Sequence, residues 1–175
     1  MPTALVRNGR VVTASESYEA DLYVGGGKIA LVGQGLSLPA DTVIDASGSL
    51  VLPGGIDAHT HLDMPAGEIA SADDFETGTR AAAFGGTTTV VDFATPLPGQ
   101  SLLAALDTWR RKAEGRAVVD YGFHMALREV GETTLAEMAR LSRGEGVTSF
   151  KLYLAYPGVL QVDDAAFFRA LLAAR

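Results

Sequence analysis

The sequence predicts an α/β chain in which a small β region, residues 1–50, precedes four strand–helix units over residues 51–175. Three observations carry this. Up to about Ser49 the apolar residues fall into short pieces broken by Gly, Asn and Asp; beyond Leu50 they alternate between strand-like runs and helical segments. Runs such as Thr88-Thr89-Val90-Val91, set between helices such as Leu102-Leu103-Ala104-Ala105-Leu106, have the pattern of parallel βαβ units. The composition agrees, with 47% hydrophobic and only 20% charged residues, a balance that fits a sheet buried on both faces and excludes a disordered regulator.

In the first region, Ala4 to Arg7, Val11 to Ala14, Asp21 to Val24 and Lys28 to Val32 read as short strands. Asn8-Gly9 between two apolar runs predicts a hairpin turn, and Gly25-Gly26-Gly27 a second turn, so a small antiparallel sheet or sandwich is expected. The four units then follow in order. Leu50 to Ile56 leads to a helix over Ala72 to Phe84, stopped by Gly85-Gly86; Thr87 to Phe93 leads to a helix over Ser101 to Glu114. Val118 to Leu127 leads to a helix over Thr133 to Arg143, and Thr148 to Leu154 to one over Asp163 to Arg175. Thr134, three residues before Glu137, predicts a capping box for the third helix and Gly144 its stop, while Asp163 or Asp164 caps the fourth.

The charge excludes several functions. With 14 basic and 21 acidic side chains the net charge is -7, the opposite of the basic stripe that nucleic-acid binding requires. A small or neutral ligand suits it better. There is no cysteine, which rules out disulfides, thiolate metal sites and a thiol nucleophile, so any metal must be held by nitrogen and oxygen. Arg7 and polar residues occupy the place of a signal peptide's apolar stretch, and no uninterrupted apolar run reaches the roughly 18 residues of a membrane span. A soluble, cytoplasmic protein without membrane partners is expected.

The chemistry-bearing residues lie near strand ends. His59 and His61 in His59-Thr60-His61 are two apart, so on a strand both imidazoles point to one side and can converge on one ion at about 2.0–2.1 Å. The same pattern also fits two histidines on a half-buried strand with no ligand. Lys151 interrupts the apolar run Ser149-Phe150-Lys151-Leu152-Tyr153-Leu154, where desolvation favours the neutral amine and makes it a nucleophile toward carbonyl compounds or carbon dioxide. Pairing with an acidic neighbour such as Asp92, or snorkelling out of the sheet, is the simpler explanation of this lysine taken alone. His124 reads as a hydrogen-bonded core residue. Asp57, two residues before His59, is expected to support the metal histidines from behind, with Asp63 and Asp92 as weaker candidates. Gly25-Gly26-Gly27-Lys28 lacks the first Gly and the Ser or Thr of a phosphate loop, and no G-x-S-x-G frame is present.

Taken together, Gly54-Gly55-Ile56-Asp57-Ala58-His59-Thr60-His61, Asp74-Phe75-Glu76-Thr77-Gly78-Thr79-Arg80-Ala81 and Gly85-Gly86-Thr87-Thr88-Thr89-Val90-Val91-Asp92-Phe93-Ala94 resemble the cyclic amidohydrolases. Pro98-Gly99-Gln100-Ser101-Leu102, Asp120-Tyr121-Gly122-Phe123-His124-Met125 and Ser149 to Tyr156 look most like the dihydropyrimidinase and D-hydantoinase type. The resemblance runs in order along essentially the whole chain. It implies the first half of a TIM-like (β/α)8 barrel, about four βα units, preceded by part of a small N-terminal β-sandwich. It further implies two divalent metal ions, commonly zinc, with His59 and His61 as ligands of one and Lys151, carboxylated by carbon dioxide, as the bridging carbamate. Tyr156 matches the tyrosine that holds the substrate carbonyl and its developing oxyanion, and Leu62, Asp63, Met64 and Tyr153 fall in the loops that line the pocket for the ring substituent.

The implied reaction is hydrolysis of a small cyclic amide, a hydantoin or dihydropyrimidine, to an N-carbamoyl amino acid by a metal-bridging hydroxide, in a homo-oligomer of two or four subunits. Allantoinase, dihydroorotase and the non-catalytic dihydropyrimidinase-like scaffold proteins are the competing members. Asp92-Phe93-Ala94 with Gly99-Gln100-Ser101-Leu102 favours the first type, and intact His59, His61 and Lys151 speak against a scaffold. The two later histidines and the aspartate of such a site have no counterpart in these 175 residues, and four units are half of the eight in a closed barrel. The sequence therefore predicts a fragment that carries part of the site and does not hydrolyse its substrate alone.

Overall fold

The computed structural model describes the backbone of residues 1–175 and every side chain except that of residue 66. The chain forms two compact units, Met1–Pro53 and Gly54–Arg175. In the first, β1 (Ala4–Val12), β2 (Ser17–Gly25), β3 (Lys28–Gly33) and β4 (Thr42–Asp45) lie in the order β3-β2-β1-β4, and β5 (Leu50–Val51) also pairs with β1. The β1–β2 and β2–β3 pairs are antiparallel, but β4 and β5 run parallel to β1, so the sheet is mixed, not antiparallel as expected. Val11, Ala20 and Leu22 form its small core, joined by Val6 and Val51.

Asn8-Gly9 is not a hairpin turn. It is a bulge inside one continuous strand: the β1–β2 register shifts between Val6 and Gly9, and Asn8 takes a left-handed φ of 61°. Tertiary partners fix it there, because the Asn8 N–H donates to Asp21 Oδ1 at 2.8 Å and its side-chain amide to Asp45 Oδ1 at 3.0 Å. The turn between β2 and β3 is Gly26-Gly27, with φ of 62° and 75°, the all-positive pair that a two-residue hairpin loop needs.

The second unit is half of a (β/α)8 barrel. Four parallel strands, β6 (Gly55–Thr60), β9 (Thr87–Ala94), β10 (Asp120–Leu127) and β11 (Phe150–Leu152), lie side by side in chain order, each followed by a helix. The helices are α1 (Phe75–Phe84), α2 (Leu102–Ala113), α3 (Glu132–Arg140) and α4 (Asp164–Ala173); a two-stranded hairpin, β7 (Pro65–Ala66) with β8 (Ile69–Ala70), lies between β6 and α1. The predicted strand Leu50 to Ile56 is split between the two sheets. Pro53 lacks the N–H a ladder needs, and Gly54 approaches the Thr88 side chain so closely that a Cβ there would overlap it.

One apolar core lies between sheet and helices, with Leu106, Trp109 and Ala105 of α2 against Phe123, Met125 and Leu127 of β10. Burying a side chain such as Leu106 contributes about 1.5–3 kcal/mol. The helix ends are set by local chemistry, though not always where expected. Ser101 and Asp163 cap α2 and α4 through their side chains. The third helix has no capping box: it starts one residue early, with Gly131 at its N-cap, and Glu137 instead accepts from the Leu102 N–H at 2.7 Å, serving the start of α2. Gly144 does not stop it either. The chain continues through a π-helical turn, Leu141–Glu145, and stops at Gly146, whose φ is 74°.

The reciprocal capping box belongs to α1, where Asp74 accepts from the Glu76 and Thr77 N–H groups and Thr77 Oγ1 accepts from the Asp74 N–H. Those backbone donors, with the Arg116 guanidinium, hold the Asp74 carboxyl below its usual range. A lowered folded pKa contributes stability that is complete above the unfolded value and is lost as pH falls through the folded one. Thermal unfolding from neutral to acid pH is expected to show this loss, and Asp74→Asn, which keeps a capping oxygen, to reduce it; an unchanged acid limb would contradict the assignment. No helix among the described residues is long and apolar enough to cross a membrane.

Candidate active site

Three of the side chains singled out in the sequence, His59, His61 and Lys151, come together on the inner face of the parallel sheet. His59 is in β6 and His61 follows its last residue; as i and i+2 they point the same way, with ring centroids 5.1 Å apart and nearly perpendicular planes. Lys151 sits in β11, at the other end of the sheet. All three meet over one aromatic ring. Phe93 of β9 has the His59 ring at 4.6 Å, the His61 ring at 5.0 Å and the Lys151 Nζ at 4.1 Å from its centroid.

His61 Nδ1 is buried with no hydrogen-bond partner. A buried acceptor or donor left unpaired costs about 1–3 kcal/mol, which marks the atom as a candidate for a function that supplies a partner. Burial, reinforced by the Lys151 ammonium and His59 and opposed by Asp92, holds the His61 imidazole below the usual histidine range, so it stays neutral, the form that binds metal. Among the described residues no three His, Cys, Asp or Glu side chains converge on one point, and the side chain that joins the two imidazoles over Phe93 is that of Lys151. Lys151 is half-buried, and among the described residues it makes no ion pair; its ammonium rests on the faces of Phe93 and, at 4.8 Å, Tyr153.

Asp92, the alternative partner for Lys151, is engaged elsewhere. It is completely buried and accepts from Thr60 Oγ1 at 3.0 Å, the Leu62 N–H at 2.7 Å, its neighbour Phe93 N–H at 2.7 Å and Trp109 Nε1 at 3.3 Å. Thr60 and Leu62 flank His61, so this carboxylate holds the residues on both sides of the histidine, one by its hydroxyl and the other by its backbone N–H. The sequence signal was a charged residue within the buried run Val90-Val91-Asp92-Phe93. Asp57 does not reach an imidazole: its carboxylate accepts from the His59 N–H at 3.1 Å, and it remains exposed. The role of Phe93 as the floor under His59, His61 and Lys151 had no signal, since one more apolar residue in an apolar strand looks like core.

The loop residues divide. Leu62, half-buried, packs against the apolar core and contacts Gly78 of α1. Asp63 takes a left-handed φ of 49° and is tied to Lys112, whose ammonium donates to its carbonyl at 2.5 Å; the Met64 N–H is held by Ser71 Oγ at 2.7 Å. Tyr153 and Tyr156 face each other edge-on at 6.1 Å, and burial, with Tyr156 second, raises the Tyr153 phenol.

Tyr156 is exposed and has a φ of 63°, a left-handed conformation that costs a bulky side chain about 1–2 kcal/mol. Its carbonyl anchors the turn, accepting from the Val159, Leu160 and Gln161 N–H groups at 3.0–3.1 Å. Strain of this kind concentrates at functional positions. Tyr156→Gly is expected to hold stability within about 1 kcal/mol of the natural chain, since relief of strain offsets the added chain entropy, while Tyr156→Val is expected to cost about 1–2 kcal/mol more. Equal melting temperatures for the two variants would show that the left-handed turn is not retained.

Comparison with known proteins agrees with this architecture. The sequence pattern of the Amidohydrolase family matches residues 50–175. The chain is 51% identical over 173 residues to the D-hydantoinase of Geobacillus stearothermophilus, covering 99% of this chain and 37% of that protein. It is 42% identical over 171 residues to the dihydropyrimidinase of Rattus norvegicus, covering 95% of this chain and 33% of that protein. A crystal structure of D-hydantoinase superposes with a TM-score of 0.94 at 50% identity, over 98% of this chain and 37% of the other. The chain thus spans about a third of the length of these relatives. On the match of its barrel half and the identity along nearly its full length, the chain belongs to the amidohydrolase family, on the side of the D-hydantoinases and dihydropyrimidinases.

Proposed function

We propose that this chain supplies the H-x-H and lysine part of a metal-dependent centre that hydrolyses small cyclic amides of the hydantoin and dihydropyrimidine type. The observation that carries the reading is the meeting of His59, His61 and Lys151, from opposite ends of the sheet, over Phe93, with His61 Nδ1 left without a partner. The donor set fits zinc: two imidazoles are good ligands, and a carbamate on Lys151 adds an oxygen donor. When bound, two divalent ions would lower the pKa of water toward neutrality and polarise a carbonyl, the two needs of an unreactive ring amide.

The chain's own residues provide the rest. His59 and His61 bind; Asp92 fixes the backbone around His61; the Phe93 ring closes the floor against water. The Tyr156 hydroxyl, carried on a strained and anchored turn, donates to the substrate carbonyl oxygen as charge develops there, an interaction whose loss costs roughly 3 kcal/mol in comparable sites. Proton delivery to the departing nitrogen needs a free carboxylate, and the two beside the histidines are engaged, Asp57 with the His59 N–H and Asp92 with four donors. The 175-residue chain therefore holds metal without turning over its substrate.

The test has two parts. Zinc uptake by this chain and a carbon dioxide adduct on Lys151 in its intact mass are expected; absence of both refutes the metal reading. In a complete barrel containing this segment, a panel of hydantoin, dihydrouracil, allantoin and dihydroorotate is expected to show turnover of the first two, and preference for either of the others overturns the substrate class. Sedimentation of the same samples reads the proposed homo-oligomer.

A further inference from the structure

We infer that His124 is a positioning residue that holds the β-bulge aiming His59 and ties that bulge to the strand carrying Lys151. Its functional meaning rests on the metal centre proposed above; its structural content rests on geometry alone. Strand β6 advances from Asp57 to Thr60 while β9 advances only from Val90 to Asp92, so Ala58 and His59 have no partner in the register. Such a bulge bends its strand and re-aims the side chains beside it.

The bulge needs something to hold it, and His124 is placed to do so. From β10, two strands away, its Nε2 lies 2.9 Å from the Ala58 carbonyl oxygen and its Nδ1 2.5 Å from Ser149 Oγ. A carbonyl only accepts, so Nε2 must carry the hydrogen, and in that tautomer Nδ1 accepts from the Ser149 hydroxyl. Both partners are next to the proposed ligands: Ala58 directly precedes His59, and Ser149 stands two residues before Lys151. Between them the ring lies 4.7 Å from Phe93, on the same floor. One imidazole thus links the strand of the histidines to the strand of the lysine, and with both nitrogens engaged it is not itself a ligand. A core histidine needs only two partners somewhere; these two partners set the spacing between the two halves of the donor set.

The 175-residue chain is the sample for the test. Side-chain proton–nitrogen correlation spectra should show His124 protonated at Nε2. His124→Phe keeps a ring but no hydrogen bond; it should move the backbone amide signals of Asp57 to His61 and of Ser149 to Lys151, and weaken zinc binding by about 10- to 100-fold in chelator competition. His124→Gln, whose amide can serve both partners, should restore the signals and most of the affinity. Ser149→Ala removes one bond only and keeps the question open to measurement if the phenylalanine variant does not fold; it should shift the His124 resonances and cause a smaller loss. Protonation at Nδ1, or unmoved amides in His124→Phe, overturns the inference, as does failure of both milder variants to differ from a plain loss of packing. If the natural chain takes up no zinc, the metal reading falls while the amide signals still decide the positioning role.

Discussion

Replacing Asp92 by alanine is expected to destabilise the barrel half by about 4 kcal/mol. The carboxylate is completely buried and satisfies four donors, from Thr60, Leu62, Phe93 and Trp109. Removing it leaves two buried and two half-buried donors without their acceptor, and each unpaired buried group costs about 1–3 kcal/mol. Some will find other partners, so the total falls below the simple sum. Against a typical stability of roughly 5–15 kcal/mol this is a large fraction, and urea unfolding will read it directly. Asp92→Asn keeps one acceptor oxygen and is expected to lose about half as much. A measured loss for Asp92→Ala below about 1 kcal/mol would remove Asp92 from its place as the clamp around His61.

His61→Leu is expected to act in two directions at once. In the metal-free chain it should raise stability by about 1 kcal/mol, because it removes the orphaned Nδ1 while filling similar space against Phe93. In the presence of zinc the order should reverse, since the natural chain gains stability by binding metal and the variant does not. Melting curves of both proteins with and without zinc test this as a crossing. A variant less stable than the natural chain in both conditions would mean that His61 is a packing residue. The expected crossing has a general cause: a site built for a ligand carries unsatisfied groups that only the ligand relieves.

The strand–helix rhythm, the cap residues Ser101 and Asp163, and the shared face of His59 and His61 were all legible in the sequence because each depends on residues a few positions apart. The resemblance to cyclic amidohydrolases was legible for a similar reason, as it rests on continuous stretches. Errors arose where a local signal had a distant competitor. Asn8-Gly9 has the composition of a hairpin, yet Asp21 and Asp45 hold it in a bulge, and Glu137 has the spacing of a capping box, yet it serves the first turn of α2.

The class of fold, the order of the four units and the presence of an H-x-H pair with a lysine three strands later follow from local patterns along the chain. Which of these side chains meet depends on how the strands are placed side by side. Asp92 reaches across 30 and 32 residues to hold Leu62 and Thr60, and His124 across 66 to hold Ala58. Those pairings depend on strand order, on register and on one additional residue in β6, and a one-residue change of register sends every side chain of a strand to the opposite face. Periodicity records which way a residue points along its own strand; what it points at is set by the neighbouring strands.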